Sequence, residues 1–425
     1  MNKNKKSSVT NNNKAGKIAM IFLVTLFFVW GALNNLNNIL VAQFKTVFNL
    51  SDFQSGLVQS AFYFGYFFFA IPASLVVGRF SYKAAILVGL ILVCIGVFSF
   101  YPAAMSLSYS NFLIALFVLA IGCAFLETSA NPYISVLGGE DSIRYLNFAQ
   151  SFNALGAIIA VILGKMLILD KTFYTSSNNQ SSMTAKSDIV LPIESINNVV
   201  YLYIYIGIFI AVLGFLVWIT RYPSIKGSAM TLNGYVRSLR KLSVNKPFLY
   251  GVLAQFLYIG AQTCVWSYTI RYCMYSQNIT ANYAADYLLA SLIAFTCGRF
   301  FSTALLKYIQ PNKLMGIYAI FNTLLCTYII FIDNIGAVWS LVAISFFMSM
   351  MYPTIFTISI HNLTEDVPCA SSILIMSILG GAVIIAGMGA VSDASNIAYA
   401  FVVPAICFIY IVFYSFRGSQ PRKNS

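Results

Sequence analysis

Apolar runs long enough to cross a bilayer recur along nearly the whole of this 425-residue chain and leave little room for anything else. A spanning helix needs about 20 consecutive, mostly apolar residues. Windows of that kind fall at 18–42, 54–78, 84–102, 110–137, 145–169 and 198–220, and again at 247–272, 283–306, 314–332, 335–360, 371–391 and 396–416. Inside lipid each backbone polar group has to be satisfied within its own segment, which a helix does. The expected fold is therefore an all-α polytopic membrane protein of twelve transmembrane helices. Composition agrees: 59% of residues are hydrophobic and 9% charged, where a soluble domain carries about 25% charged residues.

The runs divide the chain. A basic tail, 1–17, leads into the first span without a cleavage pattern. Segments 18–220 and 247–416 each hold six spans, a polar linker at 221–246 carries six basic residues, and a short tail covers 417–425. With the first residue inside, twenty Lys and Arg fall on the cytoplasmic side and five on the other, which predicts both termini in the cytoplasm. The net charge of +13 then belongs to loops on one membrane face rather than to nucleic-acid binding. The loop at 170–197, rich in Ser and Asn, is expected to be mobile on the outer side.

The two six-span segments echo each other. Gly78-Arg79-Phe80 is answered 220 residues later by Gly298-Arg299-Phe300, and Pro132 of the fourth span is answered by Pro353 of the tenth, 221 residues on. Two matches at nearly one offset point to a duplicated six-helix unit, a pattern common among transporters.

Polar residues within the spans are few and grouped. Glu127, Thr128 and Asn131 share a face of the fourth span, ahead of Pro132, which has no N–H for the carbonyl of Thr128. An ionisable residue at membrane depth is costly and faces the protein interior or a wet cavity, although a kinked helix with one protonated, paired carboxyl would contain the same residues. In the first span Trp30, Asn34 and Asn38 recur every four residues, with Asn35 beside them; helix–helix hydrogen bonding is the structural alternative to ligand binding. The fifth span carries Asn147, Gln150 and Asn153, and the seventh Gln255, Gln262 and Trp266. Amides both donate and accept, which suits a hydroxyl-rich ligand, and an indole face stacks on the C–H surface of a sugar ring. Glu127 and, nearer a boundary, Arg271 are the charged candidates, so a neutral polyol or sugar fits better than an ion.

Arg79, Lys83 and Arg299 are read as orienting or gating charges at the inner ends of spans. His361 has no partner at metal-ligand spacing, the eight cysteines form no CxxC pair, and no GxxxxGK[ST] motif is present. No metal, no other cofactor and no obligate protein partner are implied. Paired acids or a nucleophile–base set, which an enzyme would need, are also missing from the pattern.

Several motifs resemble the major facilitator superfamily, and within it the bacterial L-fucose–proton symporter family. They are Asn34-Asn35-Leu36-Asn37-Asn38, Gln59-Ser60-Ala61-Phe62-Tyr63-Phe64-Gly65-Tyr66, Leu126-Glu127-Thr128 with Ala130-Asn131-Pro132, Ala149-Gln150 with Phe152-Asn153, Gly260-Ala261-Gln262-Thr263 with Trp266-Ser267-Tyr268, and Tyr352-Pro353-Thr354. The resemblance implies two six-helix bundles that rock about a central sugar cavity in the bacterial cytoplasmic (inner) membrane. It also implies proton coupling at an acidic residue of the fourth span, here Glu127, and sugar contacts from fifth-span amides, here Gln150 and Asn153. One position departs: where the fucose symporter pattern has a first-span aspartate, this chain has Asn38, which does not titrate. Coupling through Glu127 alone, an uncoupled facilitator and coupling to another ion all stay open at that residue. The reading is a secondary transporter importing a monosaccharide, with the proton as coupling ion. Asn34, Asn35, Asn38, Gln150, Asn153, Gln262 and Trp266 are the expected sugar ligands.

Overall fold

The computed structural model describes residues 18–36, 48, 52–164, 187–220, 222, 231–361 and 363–419. Asn38, the 1–17 tail and the first part of the 170–197 loop lie outside the described residues. Regular structure among those described is entirely helical. Eleven stretches are long and apolar enough to span a membrane. One of these, Tyr109–Leu163, contains two helices joined by the 3-10 turn Gly139–Asp141, which gives the twelve spans expected.

The first six spans are α1 (Ile18–Leu36), α2 (Asp52–Arg79), α3 (Tyr82–Phe98, continued by the short Phe100–Met105), α4 (Tyr109–Gly138), α5 (Ser142–Gly164) and α6 (Ser187–Ile219). After the linker helix α7 (Leu232–Ser243) come α8 (Lys246–Gln277), α9 (Ala281–Leu305) and α10 (Pro311–Phe331). The remaining spans are broken. α11 (Ile335–Met348) is followed by α12 (Met351–Ile360), α13 (Val367–Met376) by α14 (Gly380–Ala394), and α15 (Val402–Phe413) completes the set.

α4 is the axle of the first half. Every residue from Leu119 to Ser135 is buried, as befits a helix packed on all sides. Pro132 does not break it: α4 runs through, and Ser135 Oγ donates to the carbonyl of Asn131 at 3.0 Å just past the proline. The answering Pro353 behaves differently. The chain breaks at Ser349-Met350, so Pro353 falls in the first turn of α12, where a missing N–H leaves no intrahelical bond unmade.

The halves meet where α13 packs on α2 and α4, and where α5 packs on α9 and α12. Polar bonds cross there, among them Asn147 Nδ2 to Thr354 Oγ1 at 3.2 Å and Ser135 Oγ with Thr357 Oγ1 at 3.4 Å. Small residues permit the closest approaches. A Cβ on Gly31 of α1 would lie 2.0 Å from the carbonyl oxygen of Asn153 on α5, so α1 and α5 touch backbone to backbone.

One sequence expectation needs correction. Part of the 170–197 loop is helical, because α6 starts at Ser187 rather than near 198. The 221–246 linker contains a helix. That helix, α7, is strongly amphipathic, N-capped by the Thr231 hydroxyl on Gly234 N, and buries Tyr235, Ser238 and Leu242 against the start of α13. Asp366, just before α13, accepts from Ser238 Oγ at 2.7 Å and pairs with Lys241 Nζ. Tyr235 Oη lies 3.0 Å from Ser372 Oγ. Burial opposes the Asp366 charge, but hydrogen bonds from Lys241 and Ser238 outweigh it and hold the carboxyl below its usual range.

Candidate functional site

Glu127 is 2% exposed at the middle of α4. Its Oε1 accepts a hydrogen bond from the Tyr352 hydroxyl of α12, on the other half of the molecule, while Oε2 has no partner among the described residues. Tyr66 of α2 comes up on another side, its hydroxyl held by the indole N–H of Trp30 at 2.7 Å and lying within hydrogen-bonding reach of Asn34. Four helices, α1, α2, α4 and α12, therefore converge on one carboxyl group.

One turn along α4, Asn131 Oδ1 accepts from Gln150 Nε2 of α5 at 3.1 Å. Gln150 is in turn held by Arg299 of α9: Nη1 donates to Gln150 Oε1 at 3.1 Å and also to its main-chain carbonyl. Arg299 Nε donates at 2.8 Å to the carbonyl of Ser349, which lies at the break between α11 and α12. The guanidinium stacks 4.5 Å from the Phe295 ring centroid, and Trp266 packs edge-on against the same ring at 5.0 Å while its indole donates to Ser345 Oγ at 3.2 Å. A continuous path of contacts thus runs from Trp266 through Phe295, Arg299, Gln150 and Asn131 to Glu127 and Tyr352.

That path gathers several of the expected residues: Glu127, Gln150, Trp266 and, through Tyr66, Asn34. Asn153 lies on α5 one turn beyond Gln150, half-buried, with its Nδ2 unpaired among the described residues. Asn35 is turned back on its own helix, donating to the Gly31 carbonyl at 3.0 Å. Gln262 is half-buried on α8 and makes no hydrogen bond among the described residues, while the adjacent Thr263 hydroxyl is bonded by Tyr63 across the halves.

Two charge assignments change. Arg299, counted from sequence among the cytoplasmic bases, is 4% exposed and buried between the halves. It, not the exposed Arg271, is the second charge of the site. The signal was available, since Arg299 lies seven residues inside the expected window 283–306 and six inside the end of α9, yet it was counted with the cytoplasmic bases. Lys83 and Arg79 stand apart from the cluster. Lys83 Nζ caps the end of α6, donating to the carbonyls of Trp218 and Thr220 at 2.8 and 2.9 Å, and Arg79 is exposed beside Phe80. Sequence reasoning passed over Tyr66 as a site residue because α2 carries many aromatic side chains, and nothing in its spacing marks this one.

Six of the sixteen buried side-chain polar atoms left without a partner among the described residues lie on α1, α4 and α5 around this cluster. They are Asn34 Oδ1, Glu127 Oε2, Thr128 Oγ1, Asn131 Nδ2, Asn147 Oδ1 and Asn153 Nδ2. Unmade bonds of this number are costly in a dry interior, about 1–3 kcal/mol each. The mixture of donors and acceptors matches hydroxyl groups, which can be both.

The family model of the Major Facilitator Superfamily matches residues 22–386. The L-fucose-proton symporter of Escherichia coli is 40% identical to this chain over 413 residues, covering 96% of the chain and 94% of that protein. The glucose/galactose transporter of Brucella abortus biovar 1 is 33% identical over 422 residues, with 97% and 96% covered. The crystal structure of the major facilitator transporter FucP in the outward conformation superposes with a TM-score of 0.88 at 38% identity, covering 96% of this chain and all of that one. The proton:xylose symporter XylE shares the fold at 14% identity, with a TM-score of 0.70 and 95% and 96% covered.

Proposed function

The chain belongs to the Major Facilitator Superfamily, whose members are transporters and not enzymes, and on that premise we propose that it imports a hexose-class monosaccharide together with a proton. The names of its relatives, fucose, glucose and galactose carriers, support the substrate class. The observation that carries the reading is the position of Glu127. Among the described residues it is the one buried carboxylate inside the spans, and it stands one helical turn from the hydrogen-bonded amides Asn131 of α4 and Gln150 of α5.

The moving parts are the bundles 18–220 and 247–416, joined by 221–246, with both termini in the cytoplasm as the basic residues suggest. Crossing bonds at Ser135–Thr357 and Asn147–Thr354 close the end where α7 lies, and the likeness to an outward-facing relative supports reading that end as the cytoplasmic one. Sugar and proton enter from outside. The sugar takes up the unpaired atoms of Asn34 and Asn153 and competes for the Gln150 amide, with Gln262 and Trp266 completing the site from the second half and Asn35 adjoining. Ionised Glu127 holds Tyr352 across the halves. Its protonation removes a charge from the interior and frees the loaded carrier to close over the ligand and reopen inward. Each proton entering releases about 2.3 kcal/mol per 100 mV of potential.

Uptake of labelled L-fucose, D-galactose and D-glucose into vesicles, with and without an uncoupler, tests this. Concentration of one sugar, abolished by the uncoupler, is expected. Equilibration indifferent to the uncoupler would establish the facilitator that Asn38 allows, and no flux of any of the three would overturn the sugar assignment.

A further inference from the structure

The site contains a chain of amides whose orientation is dictated from one end. Arginine can only donate hydrogen bonds. Because Arg299 Nη1 binds Gln150 at 3.1 Å, the atom facing it must be Oε1, and Nε2 must point the other way. Nε2 meets Asn131 at 3.1 Å, so the facing atom of that residue must be Oδ1. Asn131 is thereby forced to present Nδ2 on its remaining side. That nitrogen is fully buried and unpaired among the described residues, and Asn131 stands one helical turn from Glu127, whose Oε2 is also buried and unpaired. In this arrangement the amide presents a donor to the side of the carboxyl group.

We propose that Asn131 is the positioning residue through which sugar bound at Gln150 is felt at Glu127. The proposal rests on the sugar–proton reading above. Sugar hydroxyls draw Gln150 Nε2 away from Asn131. Once its Oδ1 is released, the Asn131 amide turns about its last side-chain bond and offers oxygen instead of nitrogen to Glu127. Protonated Glu127 then donates its O–H to Asn131 Oδ1, and the proton comes from water on the outer side. Sugar binding thus raises proton affinity, and by linkage proton binding raises sugar affinity by the same factor. Without the amide, both sites remain but neither senses the other.

The ionisable groups facing Glu127 among the described residues are Tyr66 from α2, Cys123 on its own helix and Tyr352 on α12 of the second half; no second carboxylate competes for the proton. Arg299 is the nearby cation, and it touches Gln150 rather than Glu127. Gln150 links that charge to Asn131 by hydrogen bonds, and Tyr352, which bonds Glu127, is also near Arg299.

The test uses full-length protein in detergent or nanodiscs with whichever of L-fucose, D-galactose or D-glucose the wild type binds. Sugar affinity is measured from pH 5.5 to 8.5, and proton uptake on sugar addition is read in weakly buffered solution. The wild type should lose affinity as pH rises, approaching tenfold per unit, equivalent to about 1.4 kcal/mol. Asn131→Ala, or the volume-preserving Asn131→Leu if the alanine protein fails to fold, should still bind sugar with less than twofold change per unit. Its proton uptake per sugar should fall at least fivefold. A variant that keeps the wild-type pH slope and proton uptake overturns the role of Asn131 and leaves symport standing. A wild type whose sugar affinity ignores pH and which takes up no proton overturns both.

Discussion

Two polar clusters, one between the halves and one tying the linker helix α7 to the second half, are built on opposite terms. Around Glu127 the groups are almost fully buried, and many of their hydrogen-bonding atoms are unpaired among the described residues. Around Asp366 the carboxylate has both oxygens engaged, Oδ1 by Ser238 and Oδ2 by Lys241. The Lys241 side chain is 70% exposed while that of Asp366 is 9% exposed. A satisfied cluster at the rim holds parts together. An unsatisfied cluster at the centre is incomplete as a structure, and a hydroxyl-rich ligand with a proton is what completes it. Bond satisfaction, more than the number of polar residues, separates the site from the scaffold.

The largest effect should come from the centre. Glu127→Gln keeps an oxygen for the Tyr352 hydroxyl but removes the titrating group. Concentrative uptake should fall at least tenfold, to simple equilibration, while exchange of labelled for unlabelled sugar across the membrane continues. A variant that still concentrates sugar would remove Glu127 from the coupling scheme. Gln150→Ala should come next. It leaves an Arg299 N–H without its side-chain acceptor and Asn131 Oδ1 without its donor. A hydrogen bond to a charged group is worth about 1.5–3 kcal/mol, so sugar affinity should drop roughly 10–100-fold in a binding titration. An unchanged affinity would move the sugar away from α5.

How far these clusters were legible in the sequence follows from the same contrast. Glu127 announced itself because a carboxylate among some twenty apolar residues has few structural excuses. Gln150 and Asn153 were legible through spacing along one helix, and the twelve spans through their length. Arg299 and Tyr66 were not, for two reasons. Arg299 lies in the inner third of a span whose ends were placed to within two residues, but a base there reads with the charges of the adjoining loop until its contacts are seen, and one tyrosine among many carries no period. The α7 cluster was hidden because Tyr235, Ser238 and Lys241 sit on a twelve-residue helix that acquires its meaning only when α13 is brought against it from 125–137 residues away. The two prolines show the limit of local rules. Pro132 and Pro353 occupy answering positions, yet one lies inside an unbroken helix and the other opens a new one.

At the rim, effects should be smaller and should touch stability before transport. Asp366→Asn keeps an acceptor for Ser238 and loses the charge opposite Lys241. With the lysine mostly in solvent, the pair contributes about 0.2–1 kcal/mol, so the melting temperature should fall by no more than a few degrees and initial uptake should stay within about twofold. A collapse of transport in this variant would show that the α7 contact belongs to the working cycle and would erase the distinction drawn here.

The smallest effect expected is a null one, and it sharpens the contrast most cleanly. Hydrogen bonds from Lys241 and Ser238 hold the Asp366 carboxyl below its usual range despite burial. A depressed carboxylate stabilises the folded state fully above its unfolded value, about 3.9, and that contribution is lost only as pH falls through the lower folded value. Between pH 5 and 8 the α7 contact should therefore be constant. The difference in melting temperature between the wild type and Asp366→Asn, followed across that interval, should stay flat, while sugar affinity at the central site changes over the same interval. If the difference in melting temperature instead widens or closes between pH 5 and 8, the Asp366 carboxyl is titrating there, and the rim responds to protons as the centre is proposed to do.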